Sequence, residues 1–386
     1  MMRPLEGIRV LDLSRVVAGP FAGRMLSDLG ADVVKVEPPD GDVSRFWGEE
    51  RNGITGFYQQ QNAGKRNVCV DMRAEGSVEL IASLAAAADI VLENYRAGVM
   101  DRMGIGWPVL SAANPKLIMA SISGFGQRGP ESDRPAFAPV IEAEGGVVAR
   151  QSMFDGQPPT DPMLSIADYN AGLHALVGVL AALHAVKSTG VGTHLDIAMI
   201  DTMLATDDYI HHAIDGSPVV RLGGSYRRLA SGRWVLVSGD FKFVWARVAQ
   251  AGYLADPAPK GTELDVKIAM REAAVDAWWA AFTNDDDALR ALDNAGIARG
   301  IMSTPEEALQ SPTAQHRGIV ASVDDRGGSQ RGVINSPYRF SAYDSGVAGA
   351  ARYRGEDNHE VLSEWLGIPP TDVELLVTRG VLLATQ

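Results

Sequence analysis

Cysteine is nearly absent from this sequence: Cys69, inside the apolar run NVCVD, is the only one in 386 residues. No intramolecular disulfide can form and no cysteine-based metal cluster can assemble, so Cys69 reads as a packing residue. Positive charge is scarce as well, with 35 Lys and Arg against 48 Asp and Glu and a formal net charge of −13. Such a balance disfavours nucleic acid as a partner, because phosphate binding needs concentrated basic surface, while leaving room for a locally basic pocket. Uninterrupted apolar stretches are missing too. None reaches the roughly 20 residues of a membrane span, and the closest, after Asp168, is interrupted by His174 and His184. The opening MMRPLEGIRVLDLS turns polar too early for a secretory core, so a soluble, cytoplasmic protein is expected. There is no P-loop and no G-x-S-x-G nucleophile elbow, and the histidines lack metal-binding spacing. His211 and His212 are adjacent, which on a helix aims them about 100° apart. Serine-triad and metal-assisted hydrolysis are therefore disfavoured.

What is present is an ordinary globular composition, 46% hydrophobic and 22% charged, over a length that favours two domains or one domain with an insertion. The first part alternates strand and helix signals. Strands are predicted at 8–13, 31–37, 67–71, 89–93 and 116–121, with helices at 21–29 and 77–88. Short apolar runs separated by helices imply βαβ units, hence an α/β fold with a doubly wound parallel sheet that binds ligands beyond the carboxyl ends of its strands. From Gly124 to Pro162 the composition turns to Gly, Pro, Ser and charge, a linker or a functional loop. A helix over 171–186, a strand over 194–199 and a helix from Ile200 follow. The chain loosens around 216–232. A strand at 233–238 and Trp-rich helices near Trp245 and Trp278 suggest a second, smaller unit.

The candidate for chemistry is Asp168, in SIADYN, heading a stretch with Leu173, Leu176, Val177, Leu180, Leu183 and Val186 and mostly Ala and Gly between. A helix apolar on nearly every face is expected to be buried. An acid entering it is either an N-cap, bonding the free amides at the positive end of the dipole, or a functional group. SRVVAGPFAG, residues 14–23, places Gly19 and Pro20 between the first strand and first helix, either a phosphate-holding terminus or a plain turn; GPFAG lacks the dinucleotide-binding spacing. NAGKR (62–66), ENYRAG (93–98) and Arg102-Met103-Gly104 would gather at one sheet edge as a basic, partly aromatic mouth suited to a phosphorylated adenine cofactor. Alternatively, Lys65 and Arg66 are solvated surface charges.

Several ordered blocks resemble the class III CoA-transferases, the formyl-CoA and carnitine CoA-transferase group that also contains α-methylacyl-CoA racemases. They are LEGIRVLDLSRVVAGPFAGRMLSDLGADVVKVEPPDGD, NAGKRNVCVDMR, VLENYRAGVMDRMGIGW and DYNAGLHALVGVLAALHAVKSTGVGTHLDIAM. The resemblance implies a Rossmann-like large domain over 1–215, a small domain over 225–315, and a segment 316–386 that returns to the large domain. It further implies an interlocked homodimer. Coenzyme A, as an acyl-CoA substrate, would be contacted by Val16, Ala18, Lys65, Asn94, Tyr95, Arg102 and Met103, with Asp168 as the catalytic aspartate and no metal or redox cofactor. The activity so implied moves CoA from an acyl-CoA to a small carboxylic acid through aspartyl anhydride and aspartyl-CoA intermediates, with helix-terminal amides keeping Asp168 ionised. A racemase needs a second acid or base across the substrate's α-carbon. The His-Asp pair that serves racemases aligns with Phe137-Ala138, which move no proton, leaving Glu142 or Glu144 as substitutes. A CoA-binding protein without turnover is the third reading. Phe137, Phe154, Tyr169 and Tyr226 are candidates for an acyl pocket, and Gly223-Gly224 is too short a glycine pair to mark an active-site loop.

Overall fold

The computed structural model describes residues 2–219 and 223–383, and the chain divides into two compact units, Met1–Asp208 with Arg317–Gln386, and Tyr209–His316. The first unit opens with strand β1 (Arg9–Asp12), helix α1 (Ala18–Asp28), β2 (Asp32–Glu37), a 3-10 turn over Val43–Phe46, a small hairpin of β3 (Glu50–Arg51) and β4 (Ile54–Thr55), and α2 (Gly56–Asn62). It continues through β5 (Arg66–Cys69), α3 (Ser77–Ala86), β6 (Ile90–Glu93), α4 (Val99–Arg102), α5 (Trp107–Ala113) and β7 (Ile118–Ser123). Then come α6 (Ala138–Glu144), α7 (Val147–Asp155), α8 (Ile166–Thr189), β8 (Thr193–Ala198) and α9 (Met199–Ala205).

Six strands pair in parallel in the order β5-β2-β1-β6-β7-β8. The direction of winding reverses between β1 and β6, and such a reversal opens a crevice beyond the carboxyl ends of the two strands. Both faces are covered, which is why the strands read as apolar runs. Val10, Ile90, Ile118 and Ala120 pack toward α1 and α8, whereas Leu11, Val34, Val68, Val91 and Met119 pack with Leu80, Leu84 and Trp365 on the other face.

The returning segment closes one end of the sheet. It contributes the hairpin β12 (Val320–Asp324) and β13 (Gln330–Ile334), then α16 (Asn358–Leu366) and α17 (Pro370–Thr378). The outer edge of β5 is buried and satisfied by side chains: Asn67 N–H donates to Asp357 (2.8 Å) and Cys69 N–H to Asn358 Oδ1 (3.0 Å). Satisfied edge amides offer nothing for a further strand to pair with.

The second unit holds a small antiparallel sheet of β9 (Ser225–Arg228), β10 (Trp234–Val237) and β11 (Arg299–Ile301). Helices α10 (Ile210–Asp215), α11 (Phe241–Gln250), α12 (Leu264–Ala280), α13 (Asp285–Asn294), α14 (Pro305–Leu309) and α15 (Pro312–His316) complete it. Its core joins Val235, Val237, Val248, Leu289 and Leu292, flanked by Trp278 and Trp279. Residues 220–222, within the stretch expected to be loose, lie outside the described residues.

Two expectations need correction. The stretch 124–162 is not all loop, because it contains α6 and α7. Nor is α8 buried all round. Ala171, Ala175, Val179 and Ala182 are buried against α1 and the sheet, while Leu173 and Val177 are 42% and 65% exposed. By length and composition alone α8 could cross a membrane, but its buried face packs as a core helix does.

Candidate active site

A cavity of about 520 Å³ lies where the winding reverses, walled by the loops that follow β1, β6 and β7, by the residues leading into α6, and by the first turn of α8. Asp168 lines it. Among the described residues no other carboxylate does. Val16, Ala18, Asn94, Tyr95 and Arg102, expected together, line the same cavity. Met103 instead borders a small neighbouring apolar space that Tyr95 shares.

Lys65 is a different matter. Its side chain is buried, and its ammonium donates to Asp12 Oδ2 (2.8 Å), the Pro20 carbonyl (2.8 Å) and Asn62 Oδ1 (2.9 Å). It is not a solvated surface charge, and its ammonium is engaged within the fold. Arg66 pairs with Asp32 and with Glu364. The basic character of the cavity comes from Arg102 together with Arg15, in SRVVAGPFAG, Arg96, in ENYRAG, and Arg134, which no motif singles out.

The buried ion pairs shape the loop between β1 and α1. Asp12 binds Lys65 and also accepts from the Ser14 amide (3.0 Å) and hydroxyl. Lys35 donates to the Ser14 carbonyl (2.8 Å) and pairs with Asp42 (3.1 Å). Burial alone would raise the Asp12 carboxyl, but Lys65 and Lys35 outweigh it and hold it below the usual carboxylate range. Asp42, in turn, accepts the amide of Val16 (3.1 Å). Val16 has φ of +70°, a left-handed conformation that costs a β-branched residue energy and persists only when its surroundings impose it. Asn94 ties the loop to β6 by accepting the Arg15 amide and donating to the Arg15 carbonyl, both at 2.8 Å. Two glycines let α1 come this close: a Cβ on Gly19 would lie 2.1 Å from Ser14 Cβ, and one on Gly23 would lie 2.7 Å from Asp12 Oδ2. So Gly19 is required for packing inside the loop.

The loop delivers the amide of Ala18, the first residue of α1, to the Asp168 carboxylate. Asp168 is therefore not the cap of its own helix. Ser165 occupies the N-cap without a side-chain hydrogen bond, and Glu142 of α6 accepts the Ala167 amide at 3.1 Å instead. The expectation that helix amides dominate the ionisation of Asp168 also fails. Burial pushes its carboxyl up to about 6, the Ala18 amide opposes this, and the Glu142 charge adds to it. Close crossing of α1 and α8 is permitted by Gly172, where a Cβ would lie 2.7 Å from the Ala18 carbonyl oxygen.

Phe137 lines the cavity and Ala138 is buried at the start of α6, so neither supplies a proton donor there. Glu144 faces outward in an ion pair with Arg134, whose guanidinium also meets Glu131. Tyr169 is turned away from the cavity, edge-on to Phe21 at 4.9 Å with its hydroxyl accepting from Gln61 (3.0 Å). Phe154 is exposed on α7, and Tyr226 belongs to the second unit, as do Gly223 and Gly224. Gly224 sits against the Val237 carbonyl, where a Cβ would lie 2.0 Å away.

The family model described as CoA-transferase family III matches residues 5–358. The chain belongs to that family and is a class III CoA-transferase. It is 32% identical to the succinyl-CoA–D-citramalate CoA-transferase of Chloroflexus aurantiacus, over 98% of both chains. To the succinate–glutarate CoA-transferase of Agrobacterium fabrum it is 30% identical, covering 94% of this chain and 95% of that one. Among solved structures, a CAIB/BAIF family protein from Brucella suis superimposes with a TM-score of 0.79 at 28% identity, over 95% of this chain and all of the other. The fold of the transferase is thus that of its relatives along nearly its whole length.

Proposed function

We propose that this transferase moves CoA between an acyl-CoA and a free carboxylic acid with Asp168 as the nucleophile. The observation that carries the reading is Asp168 itself, the cavity's carboxylate, raised in basicity by burial and aimed by the Ala18 amide. Its oxygen attacks the thioester carbonyl, the C–S bond breaks, and CoA leaves as the thiolate, giving a mixed anhydride. The thiolate then attacks the aspartyl carbonyl of that anhydride, releasing the first acid and forming an aspartyl-CoA thioester. An incoming carboxylate repeats the two steps in reverse order and restores Asp168. Electrons and atoms balance without water, metal or redox change.

Val16, Ala18, Asn94, Tyr95 and Arg102 hold the CoA in this reading, with Met103 beside Tyr95. The acid substrates are small dicarboxylates. That class is supported by the relatives named for succinyl-CoA, citramalate and glutarate, and by Arg15 and Arg96 around the cavity. A homodimer belongs to the same proposal, supported by the exposed apolar residues Leu173 and Val177 on α8; sedimentation as a monomer would contradict it. The function is tested by incubating the protein with succinyl-CoA and a panel of dicarboxylic acids, read by mass spectrometry. New acyl-CoA without hydrolysis is expected. CoA binding with no exchange across the panel would favour a binding protein, and α-deuteration of the acyl group in heavy water would favour the racemase.

A further inference from the structure

Glu142 is 1% exposed and lies one helix away from the nucleophile, an expensive place for a second carboxylate unless it does something there. Its Oε1 accepts the Ala167 amide at 3.1 Å. That amide belongs to the first turn of α8, which an N-cap side chain would ordinarily satisfy, and Ser165 does not provide one. Glu142 is thus an external cap that joins α6 to the residue immediately before Asp168. The elements around Asp168 bring other charged groups: Arg15 after β1, Arg96 and Arg102 after β6, and Arg134 before α6. Against these cations, the Glu142 charge acts to raise the Asp168 carboxyl.

We propose that Glu142 is the positioning residue of the nucleophile, holding the first turn of α8, and with it Asp168, in place through the Ala167 amide. This rests on the reading of Asp168 as nucleophile. A negative charge near a carboxylate disfavours its ionisation, and the Glu142 charge acts in that direction on Asp168. A more basic carboxylate is the stronger nucleophile, as Brønsted behaviour requires. The carboxyl of Asp168, pushed up to about 6, is still about nine-tenths ionised at pH 7. Both properties serve attack on a thioester.

The two parts of the role separate in Glu142→Gln and Glu142→Ala. Glutamine keeps an oxygen for the Ala167 amide and loses the charge, whereas alanine loses both. The readouts are the acid limb of the pH profile of kcat/KM and a direct titration of Asp168 by carboxyl-labelled aspartate NMR, assigned with Asp168→Asn. Glu142→Gln is expected to lower the Asp168 midpoint by about half a unit or more while keeping the wild-type Tm. Glu142→Ala is expected to show the same shift with a lower Tm and a lower kcat. An unshifted midpoint in Glu142→Gln overturns the electrostatic role, and a wild-type Tm and kcat in Glu142→Ala overturn the cap. Should Asp168→Asn retain turnover, the nucleophile reading falls, and the NMR titration still decides whether Glu142 acts on Asp168.

Discussion

Asp12 and Asp168 stand beside the same helix, α1, and were given opposite electrostatic surroundings. Asp12, fully buried, has Lys65, the Ser14 amide and hydroxyl, and Lys35 nearby, so burial is overcompensated and the carboxylate is held ionised. Asp168, half-buried, has a single amide, from Ala18, and a second carboxylate near it, so burial wins and its basicity rises. The first arrangement fixes a loop, and the second raises the basicity of the proposed nucleophile. A buried charge that is fully partnered fixes a loop; one that is left short of partners is available to react. The two are coupled, because the loop that Asp12, Lys35 and Asp42 hold is the one that presents the Ala18 amide.

The largest expected effect separates the two sites by activity. Asp168→Asn should lower kcat for CoA exchange by about 10⁴-fold, the scale of losing a covalent nucleophile, as read by a steady-state exchange assay. Next comes stability. Lys65→Met leaves Asp12 buried without its cation and should cost about 3–5 kcal/mol, measured by urea unfolding.

Asp168→Asn should do the opposite to stability. The folded carboxyl is raised above its unfolded value, so its stabilising contribution is present below about pH 4 and is lost as pH rises through about 6. The variant should match wild type near pH 4 and exceed it by about 1–3 kcal/mol above pH 6, in unfolding curves taken across that window. A helix-capping aspartate would give the reverse sign, with the variant less stable at pH 7. In the wild-type enzyme kcat/KM should fall about tenfold per pH unit below the Asp168 midpoint near 6; an acid limb near 4 would show that burial does not govern it. The smallest effect is at Val16, where Val16→Gly should relieve the left-handed strain and raise stability by at most about 1 kcal/mol.

The same contrast explains what the sequence disclosed. The parallel sheet was readable because strands buried on both faces leave short apolar runs, such as IVLE and IMASIS, whatever their neighbours are. Asp168 stood out as a candidate because its helix is so apolar that a carboxylate needs a reason to be there. Its partner did not, since the Ala18 amide comes from 150 residues earlier and a nearby helix start offers an equally good explanation. The burial of Lys65 was hidden for the same cause: nothing in NAGKR reveals that the side chain meets Asp12, 53 residues away. Helix α6 was hidden by the Gly, Pro and charge on either side of it, and with it went the role of Glu142 as a cap for α8.

The account stands on covalent attack by Asp168, and that can be observed at the residue itself. The protein is incubated with succinyl-CoA, trapped with hydroxylamine or borohydride, digested, and the peptide carrying Asp168 is weighed by mass spectrometry. The expected result is a mass change confined to Asp168, dependent on acyl-CoA and absent in Asp168→Asn. An unmodified Asp168 peptide from an enzyme that is turning over, with turnover retained in Asp168→Asn, would contradict it.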